Sequence, residues 1–191
     1  YKFYLETTGV FCKPLSHVYL GPAYSNKAIE SFINQSRLVD RYEIEFVDDI
    51  EYHIAQRLAD GEVVARFKGA AEWGARSLGN RAILARPDRM ESFFMVNDQV
   101  KMRDFWMPFA PSILHEAHKS YLQMGKVTRA PFMITSFDST DKGRSDFCAA
   151  MHNRDKTLRA QIVDESASPS YHKLISYFHD LTGIGGVLNT S

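Results

Sequence analysis

The stretch SPSYHKLISYFHDLTGIGGVLNTS (168–191) holds the clearest structural pattern in the chain. Ser168 and Pro169 are typical of a helix start, apolar residues then recur at helical spacing, and Gly183 is typical of a helix end. The segment GVLNTS (186–191) that follows, apolar at its start and polar at its end, indicates a strand. A helix that leads directly into an apolar strand favours a domain in which helices cover a sheet.

Other segments continue this alternation of helix and strand. Helices are predicted after the capping residue Ser25 and over 48–60. Further predictions are a helix over 112–122, a polar loop over 138–146, and strands over 62–67, 132–137 and 157–163. No internal boundary is evident, so we expect one α/β (α+β) domain. The two tryptophans, Trp73 and Trp106, are expected to pack in its core.

Composition excludes several classes of protein. The chain has 23 Lys and Arg residues against 23 Asp and Glu residues, and a formal net charge of zero argues against bulk binding to nucleic acids or membrane surfaces. No apolar run approaches the roughly 20 residues of a membrane span. Cys12 and Cys148 are too few for a disulfide framework or a structural zinc site. We therefore expect a cytoplasmic protein with no nucleic-acid or membrane partner.

Positive charge is concentrated in one region, because residues 66–103 carry eight basic and four acidic side chains. Within that region, GAAEWGARSLGNRAILARP (69–87) arranges three glycines around Arg76 and Arg81. Glycines let the backbone approach a ligand closely, and the guanidinium fork suits phosphate or carboxylate. The composition of this segment predicts an anionic ligand, although a solvated charged surface is the simpler alternative.

A family resemblance extends over nearly the whole chain in colinear order. The segment 69–87 is similar to a motif of the O-carbamoyltransferase family that includes nodulation protein U and the tobramycin and cephamycin carbamoyltransferases. Further matching segments are NDQVKMRDFWMPFAPSIL (97–114), PFMITS (131–136), MHNRDKTLRAQIV (151–163) and YHKLISYFHDLTGIGGVLNTS (171–191). The resemblance implies a YrdC-like fold, which is a twisted, open mixed sheet with flanking helices.

The resemblance also implies a place in a larger enzyme. In that family, a C-terminal YrdC-like domain makes carbamoyl-adenylate from carbamoyl phosphate and ATP, and an N-terminal actin-like domain with an iron-type metal transfers the carbamoyl group to a small-molecule hydroxyl. Residues 21–191 are thus expected to be the YrdC-like domain, truncated at its C-terminus, and residues 1–20 a linker remnant. Mg²⁺ is expected to accompany ATP, and no protein metal site is expected in this domain. Formation of a homodimer is left as an open possibility.

The site residues follow from the same resemblance. Arg76, Lys101 and Arg159 match the basic positions of the family that bind phosphate and carbamoyl groups, and we predict that they are catalytic. Substrate binding is predicted for these three residues together with Arg81, Arg103, His152, Asn189 and Ser191.

Alternatives remain open at this stage. Arg81 and Arg103 could instead pair with Glu72 or Asp104 as structural ion pairs. Met107 stands where the family carries an arginine, so one cation of the expected site is missing. A nucleotide- or anion-binding module without catalytic activity is therefore the second hypothesis. An RNA-binding module, which the zero net charge disfavours, is the third.

Overall fold

The computed structural model describes residues 2–13, 15–102, 104 and 106–191. Its α-helices are α1 (Lys2–Thr8), α2 (Asn26–Gln35), α3 (Ile50–Asp60), α4 (Met90–Phe94), α5 (Asp141–Asp146) and α6 (Pro169–Thr182). Its strands are β1 (Val64–Phe67), β2 (Arg81–Ala85), β3 (Ala110–Leu114), β4 (Leu122–Gln123), β5 (Phe137–Ser139), β6 (Thr157–Leu158), β7 (Gln161–Val163) and β8 (Gly186–Thr190). A π-helical turn, Met95–Lys101, continues α4, and 3-10 turns lie at Leu38–Asp40, His118–Ser120 and Cys148–Ala150.

The larger sheet is mixed and has the strand order β1-β2-β8-β3-β7. Strands β3 and β7 run parallel, whereas the other neighbouring pairs are antiparallel. The predicted last strand, β8, is central, because Asn189 lies opposite Leu84 of β2 on one side and Ala110 of β3 on the other. A smaller antiparallel sheet has the order β4-β5-β6. The position of β8 therefore brings the end of the chain between two other strands.

Both faces of the larger sheet are covered. Leu84 of β2 belongs to a core with Leu58 of α3 and Leu174 of α6. The next residue of β2, Ala85, belongs to a separate core with Phe93 of α4, because successive strand residues point to opposite faces. The expected α+β fold, a mixed sheet with flanking helices, is thereby confirmed.

Local capping explains why three of the predicted helices are confirmed. The Ser25 hydroxyl accepts the N–H of Ala28 at 3.2 Å at the start of α2, and the Asp49 carboxylate caps α3. Gly61 (φ 95°) ends α3 and Gly183 (φ 77°) ends α6, both in the left-handed conformation that glycine adopts without strain. None of the helices formed by the described residues is long and apolar enough to cross a membrane.

Two segments have a different secondary structure from that predicted. The helix expected over 112–122 is wrong, because its first residues belong to β3, where all five residues are buried. A strand buried on both faces is apolar throughout, and periodicity alone does not separate it from a helix. The loop expected over 138–146 contains α5, which Thr140 caps by accepting the N–H of Gly143 at 3.0 Å.

Other predictions were correct only in part. The strand expected over 132–137 starts later, at β5, because Met133 has a φ of 55° and interrupts an extended chain. The run 157–163 divides into β6 and β7, which belong to different sheets. The expectation that Trp73 and Trp106 pack in the core is wrong, since the two residues lie in loops and are 74% and 60% exposed.

Candidate functional site

A cleft of about 400 Å³ opens where β8 ends and β3 begins. The structure brings together in it the three predicted catalytic residues: Arg76 from the loop 68–80, Lys101 from the π-helical turn, and Arg159 between β6 and β7. The predicted residues Asn189 and Ser191 also line it. We call this the basic cleft, because its described lining contains these three cations and no Asp or Glu side chain. An anion is the ligand that such a lining favours.

The loop 68–80, which we call the glycine loop, is held by one carboxylate. Glu72 Oε1 accepts the backbone N–H groups of Leu78 at 2.9 Å, Asn80 at 2.7 Å and Arg81 at 3.1 Å. Charge-assisted bonds of this kind are stronger than those between neutral groups. The carboxylate therefore fixes the return of the loop to β2, and the loop presents Arg76 to the basic cleft.

A buried arginine is hydrogen-bonded to the backbone of the glycine loop. Arg66 is 5% exposed, and its Nη1 donates to the Gly79 carbonyl and to Asn80 Oδ1, the latter at 3.2 Å. Its Nη2 donates to Ser170 Oγ at 2.8 Å and lies 3.9 Å from the Glu51 carboxylate. Burial lowers the pKa of Arg66, but an arginine keeps its charge at neutral pH. The loop backbone is thus tied to α6 and α3 through one guanidinium group.

A second buried network joins the central strands to the same loop. Asn189 Nδ2 donates to the Ser77 carbonyl at 3.1 Å and to Ser112 Oγ at 3.0 Å. The Ser112 hydroxyl donates to Gln161 Oε1 at 2.8 Å, and Gln161 Nε2 donates to the Leu78 carbonyl at 3.0 Å. Sequence reasoning missed Ser112 and Gln161. The available signal was a polar residue inside an otherwise apolar strand, which when buried requires a partner.

A smaller cleft of about 220 Å³ adjoins the basic cleft, and we call it the side cleft. Arg159 lines both cavities. The predicted residue His152 lines the side cleft together with Asp155 and Thr157. The structure therefore divides the predicted site into two cavities that share Arg159, together with Pro108 and Phe109.

The remaining predicted position that the structure describes, Arg81, does not join either cleft. The Arg81 guanidinium donates to four backbone carbonyls, that of Gly69 among them at 3.0 Å, and lies 3.7 Å from the centre of the Phe67 ring. This side chain therefore holds the glycine loop in place through hydrogen bonds to its backbone. Arg103 lies outside the described residues. Met107, where the family carries an arginine, is partly buried and is absent from the described lining of both clefts.

Comparisons with known proteins bear on the family. Residues 55–191 match the family model described as carbamoyltransferase C-terminus. The chain is 33% identical over 180 residues to the uncharacterized protein MJ1058 of Methanocaldococcus jannaschii, covering 94% of this chain and 29% of that protein. It is also 33% identical to nodulation protein NolNO of Sinorhizobium fredii (93% of this chain, 26% of that protein) and to the 3'-hydroxymethylcephem-O-carbamoyltransferase of Streptomyces clavuligerus (72% and 25%). The chain thus spans less than a third of the length of these relatives.

A solved structure agrees at the level of the fold. The crystal structure of full-length HypF in the phosphate- and nucleotide-bound form superposes with a TM-score of 0.53 at 16% identity, covering 78% of this chain and 18% of that chain. This likeness agrees with the YrdC-like fold that the resemblance implied. The family model covers most of the chain, from residue 55 to residue 191, and the chain belongs to the carbamoyltransferase C-terminal family.

Proposed function

We propose that this domain forms carbamoyl-adenylate from carbamoyl phosphate and ATP, for transfer of the carbamoyl group to a small-molecule hydroxyl. The observation that carries the proposal is the convergence of Arg76, Lys101 and Arg159 on one cleft whose described lining has no Asp or Glu side chain. The reaction brings two anionic substrates together. Fixed cations and N–H donors offset their repulsion and stabilise the charge that develops in the transition state.

The proposed reaction has two balanced steps. Water attacks the phosphorus of carbamoyl phosphate, the bond between that phosphorus and the carbamoyl oxygen breaks, and phosphate, carbamate and a proton result. A carbamate oxygen then attacks the α-phosphorus of ATP, and the bond to the departing pyrophosphate breaks. Negative charge collects on phosphoryl oxygens in both steps, which is where arginine and lysine side chains act.

The cleft residues have distinct proposed roles. Arg76 and Lys101 bind the phosphates of ATP, and Arg159 contacts both substrates because it lines both cavities. Asn189 Oδ1 is buried and has no hydrogen-bond partner among the described residues, so it can accept an N–H of the carbamoyl group. Asp and Glu side chains are protein ligands that Mg²⁺ prefers, and the described lining of the basic cleft has none, so we expect Mg²⁺ to be held by the ATP phosphates.

The later step belongs to another part of the proposed enzyme. As the family resemblance implies, transfer to the acceptor hydroxyl would take place in an N-terminal actin-like domain with an iron-type metal. The partners of this domain would then be carbamoyl phosphate, ATP and that domain.

Pyrophosphate release tests the proposal directly. With Mg-ATP alone the chain should release no pyrophosphate, and adding carbamoyl phosphate should start the release. Arg76→Ala should lower that rate about 100-fold, because it removes a preorganised donor at the developing charge. Arg41→Ala is the matched control, since Arg41 is exposed and lines neither cleft. No release by the wild-type chain, or unchanged release by Arg76→Ala, would overturn the proposal.

Met107 supports a second candidate function, an anion-binding module without catalytic activity. Methionine cannot bind phosphate through a charge, so the site has one cation fewer than the family pattern. Thermal-shift measurements with ATP and with carbamoyl phosphate distinguish the two. Stabilisation by both ligands without pyrophosphate release would favour the binding module over the enzyme.

A further inference from the structure

His152 and Asp155 form a hydrogen-bonded pair at the side cleft. His152 Nδ1 lies 2.9 Å from Asp155 Oδ1, and both residues line the cavity with Arg159. Asp155 is fixed independently of the histidine, because the same oxygen accepts the backbone N–H of Thr157 at 3.0 Å and the Thr157 hydroxyl at 2.8 Å. The carboxylate is therefore held in place to orient the imidazole ring.

These hydrogen bonds decide which ring nitrogen carries the proton. The N–H and hydroxyl of Thr157, together with the neighbouring His152, lower the pKa of Asp155, so its carboxylate is ionised and only accepts hydrogen bonds. We therefore assign the proton to His152 Nδ1, which donates to Asp155. The Asp155 backbone N–H also approaches this nitrogen as a donor, but at the longer distance of 3.4 Å, so the closer carboxylate oxygen at 2.9 Å decides the assignment. In this tautomer Nε2 has the free lone pair and is the atom that can accept a proton.

We propose that His152, oriented by Asp155, is the general base that removes a proton from the water attacking carbamoyl phosphate in the side cleft. This inference rests on the proposed function. As the oxygen of water bonds to phosphorus, its proton passes to His152 Nε2, the bond to the carbamoyl oxygen breaks, and carbamate and phosphate separate. The imidazolium then releases its proton to the phosphate or to solvent, which restores the base.

The two cavities suit this division of the reaction. The side cleft of about 220 Å³ is small enough to select a short acyl phosphate, whereas the basic cleft of about 400 Å³ takes the nucleotide phosphates. Arg159 lines both, at the boundary that the carbamate must cross to reach the α-phosphorus. The charged groups that line the side cleft with His152 are Asp155 and Arg159, so a substrate anion has its cation beside the base.

A change of substrate separates this role from simple binding. With Mg-ATP and carbamoyl phosphate, His152→Gln should lower phosphate and pyrophosphate release about 100-fold, the usual size of a general-base contribution. When ammonium carbamate replaces carbamoyl phosphate, the attack by water is bypassed, so pyrophosphate release should fall far less. The pH profile of phosphate release should also lose one ionisation in His152→Gln. Arg41→Ala serves again as the control for both substrates.

Asp155→Asn is the matched variant for the positioning residue. Asparagine keeps an oxygen that can accept the Thr157 N–H and hydroxyl but removes the charge that stabilises the imidazolium. Because the pair is partly exposed, phosphate release should fall about fivefold. Its pH profile should shift, whereas a purely structural role would leave the profile unchanged.

The outcomes distinguish failure of this inference from failure of the proposed function. Equal losses with both substrates in His152→Gln, or no loss with carbamoyl phosphate, would overturn the general-base role and leave carbamoyl-adenylate formation intact. Pyrophosphate release by the wild-type chain from carbamate but not from carbamoyl phosphate would overturn both the general-base role and the use of carbamoyl phosphate in the proposed function. If the wild-type chain releases no pyrophosphate from either substrate, the proposed function itself fails.

Discussion

The glycine loop differs from residues 2–46, which we call the N-terminal region. In each of the two segments, the exposure of the side chains is the opposite of what its composition suggests. The loop is polar and rich in glycine, yet its residues 77–80 are all buried. The N-terminal region is rich in apolar residues, yet among its described residues only Val18 is buried, and Phe3 and Phe46 are 79% and 77% exposed. In this chain, the segment that carries the site is held in place by buried polar groups that have hydrogen-bond partners, and not by a high content of apolar residues.

The place where the two regions meet supports this view. The Gly21 N–H donates to the Ala71 carbonyl at 2.9 Å, and the Trp73 N–H donates to the Val18 carbonyl at 2.8 Å. The Tyr19 hydroxyl donates to a carbonyl of the loop at 2.8 Å. The part of the N-terminal region that includes its buried residue is thus the part that bonds to the glycine loop.

The largest effect within the glycine loop is expected from Gly79→Ala. Gly79 has a φ of 107°, and an added Cβ would lie 2.3 Å from the Tyr171 ring. We expect the free energy of unfolding to fall by about 3 kcal/mol, from overpacking and backbone strain together, measured by urea denaturation.

Gly74→Ala is the control for that prediction. Gly74 belongs to the same loop and has a φ of 115°, but a Cβ there would meet nothing within 4 Å. Only the strain applies, and the loss should be about 1 kcal/mol. Equal losses in the two variants would mean that the packing of the loop on Tyr171 does not stabilise it.

Two arginines of the same segment should separate stability from activity. Arg81→Ala removes four hydrogen bonds to carbonyls and the contact with the Phe67 ring, so we expect a loss of about 2 kcal/mol in urea denaturation. Arg76 is exposed in the basic cleft, so the free energy of unfolding of Arg76→Ala should stay within about 0.5 kcal/mol of the wild type while pyrophosphate release falls about 100-fold. A large loss of stability in Arg76→Ala with little loss in Arg81→Ala would contradict the assignment of Arg81 as a structural residue and Arg76 as a ligand-binding residue.

The same contrast explains what could be predicted from sequence. Helices α2, α3 and α6 were predictable because caps and apolar spacing lie within each segment. The motif resemblance selected the residues of the basic cleft, but their convergence depends on β8 pairing between β2 and β3, which no local pattern contains. Ser112 and Gln161 were missed because their partnership spans 49 residues of sequence. Burial of the polar glycine loop likewise depends on Arg66, whose partners lie on other elements.

Acid should weaken the packed region through Asp49, which joins α3 to α6. Its carboxylate accepts from Lys173 Nζ at 3.0 Å and from the Tyr177 hydroxyl at 2.9 Å, and the bond to Lys173 is the main reason that its pKa is lowered. A carboxyl whose pKa is lower in the folded state stabilises the fold when ionised. That stabilisation is present above the unfolded pKa of about 3.9 and is lost as the pH falls through the folded value.

The measurement for Asp49 is the melting temperature of the chain between neutral pH and about pH 3. Asp49→Asn should melt below the wild type at neutral pH and converge with it in acid, because protonation removes the same charge. Ser25→Ala at the cap of α2 provides the comparison, since a serine cap does not titrate. A constant difference between Asp49→Asn and the wild type across this range would contradict the role of the charge.

The smallest effect is expected in the N-terminal region. Phe32 of α2 is 62% exposed, so Phe32→Ala should change the free energy of unfolding by no more than about 0.5 kcal/mol. Phe178 of α6 has the same side chain but is fully buried, and Phe178→Ala should cost about 3 to 5 kcal/mol. Urea denaturation of the two variants therefore compares how much a phenylalanine contributes to the free energy of unfolding in α2 and in α6. A loss above 1 kcal/mol for Phe32→Ala would mean that the apolar face of α2 is covered in solution. Both regions would then be buried, and they would differ only in what covers them.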